Sequence, residues 1–195
     1  CARLGNPQRR FRSVVVAGTN GKGSICAMLY SMLRESSLRV GLYTSPHLEQ
    51  FRERILVWTD HAASRDRAEG DDWMSEADFI WGLEQALPVA EAMSRNPADG
   101  APTYFELLTA IAFLHFHRRR VDVAVVEVGL GGRLDATNVL EPAVTILGPI
   151  GFDHLDVLGS TLQAIAREKA GIVKSGQLVL TAPQTSEVMA VVAGA

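Results

Sequence analysis

The strongest chemical signal in the sequence is the stretch Gly18-Thr19-Asn20-Gly21-Lys22-Gly23-Ser24. Its glycines permit positive φ and close backbone approach, which a nest of amides around phosphate oxygens requires. Lys22 adds a full positive charge near the outer phosphates. A helix from about Ser24 would aim the positive end of its dipole at the same anion. The pattern departs from the general phosphate loop, G-x-x-x-x-G-K-[ST], in two ways. Only Thr19 and Asn20 separate Gly18 from Gly21, and Gly23 takes the place after Lys22, moving the hydroxyl to Ser24. A glycine-rich strand-to-helix turn with a surface lysine is the competing reading of this segment alone.

Further candidates sit where apolar runs end. Glu127 follows Val123 to Val126 and precedes Gly129, Gly131 and Gly132, a carboxylate at a strand end beside a permissive loop. That placement suits a group holding Mg²⁺ for a nucleotide or polarising water, and after a phosphate loop this outweighs an edge glutamate in solvent. Asp135 and Asn138 read locally as turn residues bonding their own backbone. His154, in Gly151-Phe152-Asp153-His154, is a structural turn histidine or a ligand through one ring nitrogen. Lys169 near a helix C-terminus reads locally as a surface residue.

These groups need elements to hold them. Val14 to Val16 favours a buried strand, followed by a helix carrying Ile25, Met28, Leu29, Met32 and Leu33. A second strand over 38–44 ends at Ser45-Pro46-His47-Leu48, giving a βαβ unit whose ligand face lies at the strand C-terminal ends. Residues 52–58 alternate as a short strand paired outside the parallel sheet, and the polar segment 59–72 reads as a loop insertion. Ser75 and Thr103 are expected to cap two helices, the second with a broad apolar face through Phe105, Leu108, Ile111, Ala112, Leu114 and Phe116. Strands follow at 121–128, 143–147 and 178–180, with a Thr161-capped helix ending at Gly171 and a last helix from Glu187.

With 195 residues and 47% hydrophobic content the chain can bury a large core as one domain. A net charge of −3 gives no nucleic-acid footprint, and Arg118-Arg119-Arg120 reads as a solvated helix C-terminus. Two cysteines, Cys1 and Cys26, give no disulfide framework, and no stretch has the length of a membrane span or the form of a signal peptide. A reducing cytoplasm is the simplest compartment. The first residue is Cys, and the last periodic segment stops without a helix stop signal, so a piece of a longer polypeptide is expected, truncated at both ends.

Several segments together carry a family resemblance. Val16 to Ser24, Tyr43-Thr44-Ser45-Pro46-His47-Leu48, Thr103-Tyr104-Phe105-Glu106, the run from Glu127 through Gly132-Arg133-Leu134-Asp135-Ala136-Thr137 to Asn138, Asp153-His154 and Arg167-Glu168-Lys169-Ala170-Gly171 stand in the order found in the folylpolyglutamate synthase/dihydrofolate synthase family. That family is related to the Mur peptidoglycan ligases. The resemblance covers nearly the whole chain apart from 59–72. It implies a three-layer α/β domain with a mostly parallel sheet, the Mur-ligase-type P-loop ATPase core, occupying residues 1–195. The family's C-terminal domain, which helps bind glutamate, is expected to lie outside this sequence.

The implied activity is an ATP-dependent carboxylate–amine ligase. ATP phosphorylates a pterin-bearing carboxylate, and the acyl phosphate is attacked by the amino group of L-glutamate. By resemblance, Thr19, Asn20, Gly21, Lys22, Gly23 and Ser24 bind ATP. Ser45, Glu127 and His154 resemble Mg²⁺ ligands, and Lys169 resembles a lysine carbamylated to N6-carboxylysine that positions a second Mg²⁺. Lys22 and Lys169 are thus the catalytic candidates. Thr103, Tyr104, Phe105 and Glu106, with Leu134, Asp135 and Ala136, resemble the dihydropteroate pocket. Two positions depart from the family: Val15 stands where His is common, and Gly148-Pro149 where Thr followed by Asn or Ser is usual. The expected partners are ATP, dihydropteroate or a folate, and glutamate, bound by a monomer with neither nucleic acid nor membrane. Alone, these 195 residues are expected to bind nucleotide weakly and to catalyse little. Another Mur-type ligase, and a nucleotide-binding module without ligase chemistry, are the alternatives.

Overall fold

The computed structural model describes residues 1–59 and 72–195; the expected insertion at 59–72 lies, except for its end residues, outside the described residues. The first strand, β1 (Arg12–Ala17), feeds α1 (Lys22–Arg34) and then β2 (Val40–Tyr43). After β3 (Ile55–Trp58) come α2 (Glu76–Ser94), α3 (Tyr104–Arg118) and β4 (Val123–Glu127). The remainder is β5 (Val144–Leu147), the short α4 (Leu155–Leu158), α5 (Leu162–Ala170), β6 (Leu178–Thr181) and α6 (Ser186–Val192).

Among the described residues the strands form one sheet in the order β3-β2-β4-β1-β5-β6. Every neighbouring pair is parallel except β2 with β3. The segment expected to pair outside the parallel sheet therefore forms its antiparallel edge, and its first three residues, 52–54, belong to the 3₁₀ turn Phe51–Arg54 instead of the strand. β1 is central, flanked by β4 and β5. Its successive side chains serve opposite layers: Val16 joins Val40, Leu42 and Val125 under α1, whereas Val15 and Ala17 join Tyr43, Ala124 and Val126 under α2 and α3. Burial on both faces explains why this strand reads as an uninterrupted apolar run.

Two glycines set the layer spacing. A methyl group at Gly41 would lie 3.0 Å from the Phe116 ring, and one at Gly82 2.7 Å from the Ile111 side chain, so α3 lies close against both β2 and α2. The helix caps form as the sequence predicts. Ser75, Thr103 and Thr161 each accept a backbone N–H three residues on, and Thr103 with Glu106 completes a reciprocal capping box. On α1 the buried face differs from the expected one: Cys26 and Tyr30 are buried with Ile25, Leu29 and Leu33 beside them, while Met28 and Met32 are more than half exposed. The apolar stripe is wider than one face, and the Tyr30 hydroxyl, donating to Asp72 at 3.0 Å, belongs to the buried side. The arginines closing α3 are less free than a solvated end implies, since Arg118 and Arg119 reach Asp78 on α2 and Arg118 lies over the Trp81 ring.

His115 is buried on α3, and its Nδ1 has no hydrogen-bond partner among the described residues. Burial pushes its pKa from 6.5 down to about 4, against an upward pull from Asp78 and with smaller downward pushes from Arg119 and Arg118. The folded state thus binds fewer protons than the unfolded chain below pH 6.5, and stability contributed by the neutral ring is lost as pH falls from there towards 4. Linkage puts the loss at about 2 kcal/mol between pH 7.5 and 5. Urea unfolding of the wild type and His115→Leu at both pH values should show a difference of that size removed by the substitution; equal acid sensitivity in the two proteins would contradict it.

Candidate phosphate and metal site at the strand ends

The C-terminal ends of β1, β4 and β5 meet at one edge of the sheet, and the loops leaving them carry most of the candidate residues. Gly18, with φ 149°, turns the chain off β1 directly against β5: a methyl group there would stand 3.0 Å from Gly148 Cα. Of the departure Gly148-Pro149, this packing bears on the glycine. Gly148 N–H donates to Ala17 O at 2.7 Å, Pro149 O accepts from Thr19 N–H at 2.9 Å, and a β-carbon at 148 would press on Asn20 O at 3.3 Å. The Thr19 hydroxyl donates to Gly151 O and accepts from Gly151 N–H, both at 3.1 Å. Thr19 in this arrangement braces the loop against the chain after β5. Val15, the other departure, is fully buried core.

Gly21, with φ 76°, caps α1, which therefore begins at Lys22, two residues before the expected start. The Lys22 ammonium folds back onto Gly18 O at 3.1 Å and Thr19 O at 3.2 Å. Lys169 reaches the same carbonyl from α5, its Nζ donating to Gly18 O at 2.9 Å and to Asp153 Oδ2 at 3.3 Å. Lys169 is 2% exposed, so the surface reading of this residue is wrong. Burial lowers its pKa, Lys22 lowers it further, and Asp153 opposes both. The sequence holds three lysines, Lys22, Lys169 and Lys174, and two of them converge on one backbone oxygen.

Glu127 ends β4 on the α1 side. It is 4% exposed and accepts the Ser45 N–H at 3.0 Å. Burial raises its pKa, moderated by that bond and by Lys22. A methyl group at Gly23 would lie 3.8 Å from its carboxylate, so the glycine after Lys22 leaves the space before Glu127 open. This carboxylate and the adjacent Ser45 fit a hard divalent cation, which takes one or two protein oxygens and completes its shell with phosphate and water. The described residues contain no group of three or more His, Cys, Asp or Glu able to enclose a metal unaided. His154 fits less directly: it occupies the left-handed region at φ 41°, is exposed, and turns Nε2 towards Asp153 Oδ1 at 3.5 Å.

Beside this edge lies a cavity of about 320 Å³ lined by Thr103, Phe105, Glu106, Leu134, Asp135 and Ala136, among others. Six of the seven candidate pterin residues thus share one wall, with Tyr104 exposed next to them. Phe105 stacks on Tyr43 and lies so close to Gly129 that a methyl group there would stand 2.6 Å from its ring. Several polar groups are already engaged: Thr103 and Glu106 with each other, and Asp135 with Leu130 N–H, Thr137 N–H and the Thr137 hydroxyl. The turn role read for Asp135 and Asn138 is observed. Asp135 caps the 3₁₀ turn Ala136–Val139, and the Asn138 amide donates to Arg133 O.

Two contributors were invisible to local reading. Asp153, noted only as the neighbour of His154, holds Lys169, and Gln184 clamps the segment after β5 by donating to Gly148 O and accepting from Ile150 N–H. Both act across 16 to 36 residues, and no short spacing records that.

No protein-family model matches the chain. The dihydrofolate synthase/folylpolyglutamate synthase of Bacillus subtilis is 42% identical over 192 residues, 98% of this chain but 42% of that protein. A solved folylpolyglutamate synthase–AMPPCP complex superposes with a TM-score of 0.88 at 40% identity, covering 99% of this chain and 45% of the other. The Mycobacterium tuberculosis folylpolyglutamate synthase complexed with ADP gives 0.85 at 38% identity, covering 99% and 42%. The chain thus spans less than half the length of these relatives. Among the described residues no helix is long and apolar enough to cross a membrane. Along nearly all its length the chain is similar, in sequence and in fold, to somewhat less than half the length of the folylpolyglutamate synthases and dihydrofolate synthases.

Proposed function

We propose that residues 1–195 form the ATP-, metal- and pterin-handling unit of an ATP-dependent ligase that joins L-glutamate to dihydropteroate, a folate, or both. The observation that carries this reading is the meeting of Lys22 and Lys169 on Gly18 O, close to a buried carboxylate. An ATP γ-phosphoryl group passes to the substrate carboxylate, and the glutamate amine displaces phosphate from the resulting acyl phosphate. The barrier is dominated by charge on the transferring oxygens and by bringing two reactants together away from water.

Lys22 is free to leave its two carbonyl partners for the outer phosphates, where the amides at the start of α1 add their dipole. The Glu127 carboxylate and Ser45 would hold Mg²⁺, which neutralises phosphate charge when bound. His154 is a further ligand candidate, reached by rotation from Asp153. Lys169, whose pKa burial and Lys22 lower against the pull of Asp153, is the amine we assign to react with carbon dioxide and become an anionic oxygen ligand for a second Mg²⁺. The cavity beside Phe105 offers an apolar, aromatic wall for the pterin and polar groups at its rim. A monomer in the cytoplasm is the setting we propose.

The test is an ATPase assay on the protein containing this sequence, with dihydropteroate, tetrahydrofolate or a muramyl peptide as acid. ADP release that needs both glutamate and a pterin acid is expected. A muramyl peptide in their place, or no dependence on any acid, would refute the assignment.

A further inference from the structure

The loop after β4 and the last turn of α5 are interlocked through backbone, glycine and side-chain contacts. A methyl group at Gly132 would lie 2.8 Å from both Glu168 O and Lys169 O, and one at Gly171 2.5 Å from Arg133 Cβ. Arg133 N–H donates to Glu168 O at 2.8 Å, and its guanidinium donates twice to Glu168 Oε1, at 3.0 and 2.9 Å. The Asn138 amide bridges Arg133 O and Gly171 O. All of these contacts bracket Lys169. The guanidinium–carboxylate pair is partly exposed, and such pairs contribute little to stability. What it does is orient one turn of helix.

We infer that Gly132 and Arg133 are positioning residues for Lys169. By holding the end of α5 against the loop that lines the 320 Å³ cavity, they set the Lys169 amine on Gly18 O of the phosphate loop. Loosening the interlock withdraws the amine from that carbonyl and exposes it. The inference rests on Lys169 being a working group of the proposed site, but its geometry can be read without any ligase turnover.

Reductive methylation with tandem mass spectrometry reads each of the three lysines, Lys169 and Lys174 being separated by their fragment ions. In the nucleotide-free chain, Gly132→Ala should speed modification of Lys169 at least tenfold, because its methyl meets backbone that cannot rotate aside. Arg133→Gln should speed it severalfold with little change in melting temperature. The exchange Arg133→Glu with Glu168→Arg should bring the rate back to within twofold of wild type, which general loosening of the fold would not do. If Gly132→Ala does not fold, the Arg133 variants decide. A Lys169 rate within twofold of wild type in Arg133→Gln, or no recovery in the exchange, overturns the inference. Unimpaired ligase turnover in Lys169→Ala would instead refute the role proposed for Lys169, leaving the labelling result intact.

Discussion

Lys22→Ala should weaken ATP binding by roughly ten- to a hundredfold, the value of one charge-assisted hydrogen bond to an anion. Stability should change little, because Lys22 is half-buried and its present partners, Gly18 O and Thr19 O, are backbone oxygens at a loop rim. A second consequence has a definite sign. Lys22 helps lower the Lys169 pKa, so removing it should raise that pKa and slow the reaction of Lys169 with amine reagents at neutral pH. Titration calorimetry with ATP and the Lys169 labelling rate check the two effects. Unchanged affinity would return the glycine-rich loop to a simple strand-to-helix turn.

Glu127→Gln should affect nucleotide binding in opposite directions with and without metal. The amide keeps the size of the side chain and an oxygen to accept the Ser45 N–H, but removes a buried negative charge. In Mg²⁺, ATP affinity should fall about tenfold, since the hard cation loses its carboxylate. In chelator, affinity should equal or exceed that of the wild type, because a charge repelling phosphate is gone. Burial raises the Glu127 pKa, so the ionised group opposes folding at neutral pH, and the substitution should not lower the melting temperature. A variant that loses affinity equally in both conditions would show Glu127 to be a packing residue.

The layered fold was legible because its signals are local. Val14 to Val16 reads as a buried strand, and Ser75, Thr103 and Thr161 cap helices where they stand. The α1 face was misread because Met28 and Met32 extend an apolar stripe wider than the buried one. Residues 52–54 were read as strand because alternation does not exclude a 3₁₀ turn held by Glu53, whose carboxylate accepts the N–H groups of Leu48 and Glu49.

The candidate site was legible in its loop and at Glu127, where glycines and a strand-end carboxylate stand together in the sequence. Lys169 was not. A lysine near a helix C-terminus is the ordinary surface choice, and only the fold brings it 151 positions back to Gly18 O. Resemblance to a family singled it out as a site candidate, and the structure shows it buried where local sequence pointed to the surface. The two departures look different in three dimensions. Gly148 allows Gly18 to approach closely, and Val15 belongs to the core.

The central claim is that these strand ends form a site for a nucleotide and its metal. Calorimetric titration of the 195-residue chain with ATP, in Mg²⁺ and in chelator, tests it most directly. Weak but measurable binding that tightens at least tenfold with Mg²⁺ is the expected result. Binding indifferent to Mg²⁺, or none at millimolar ATP by a folded chain, would contradict the account.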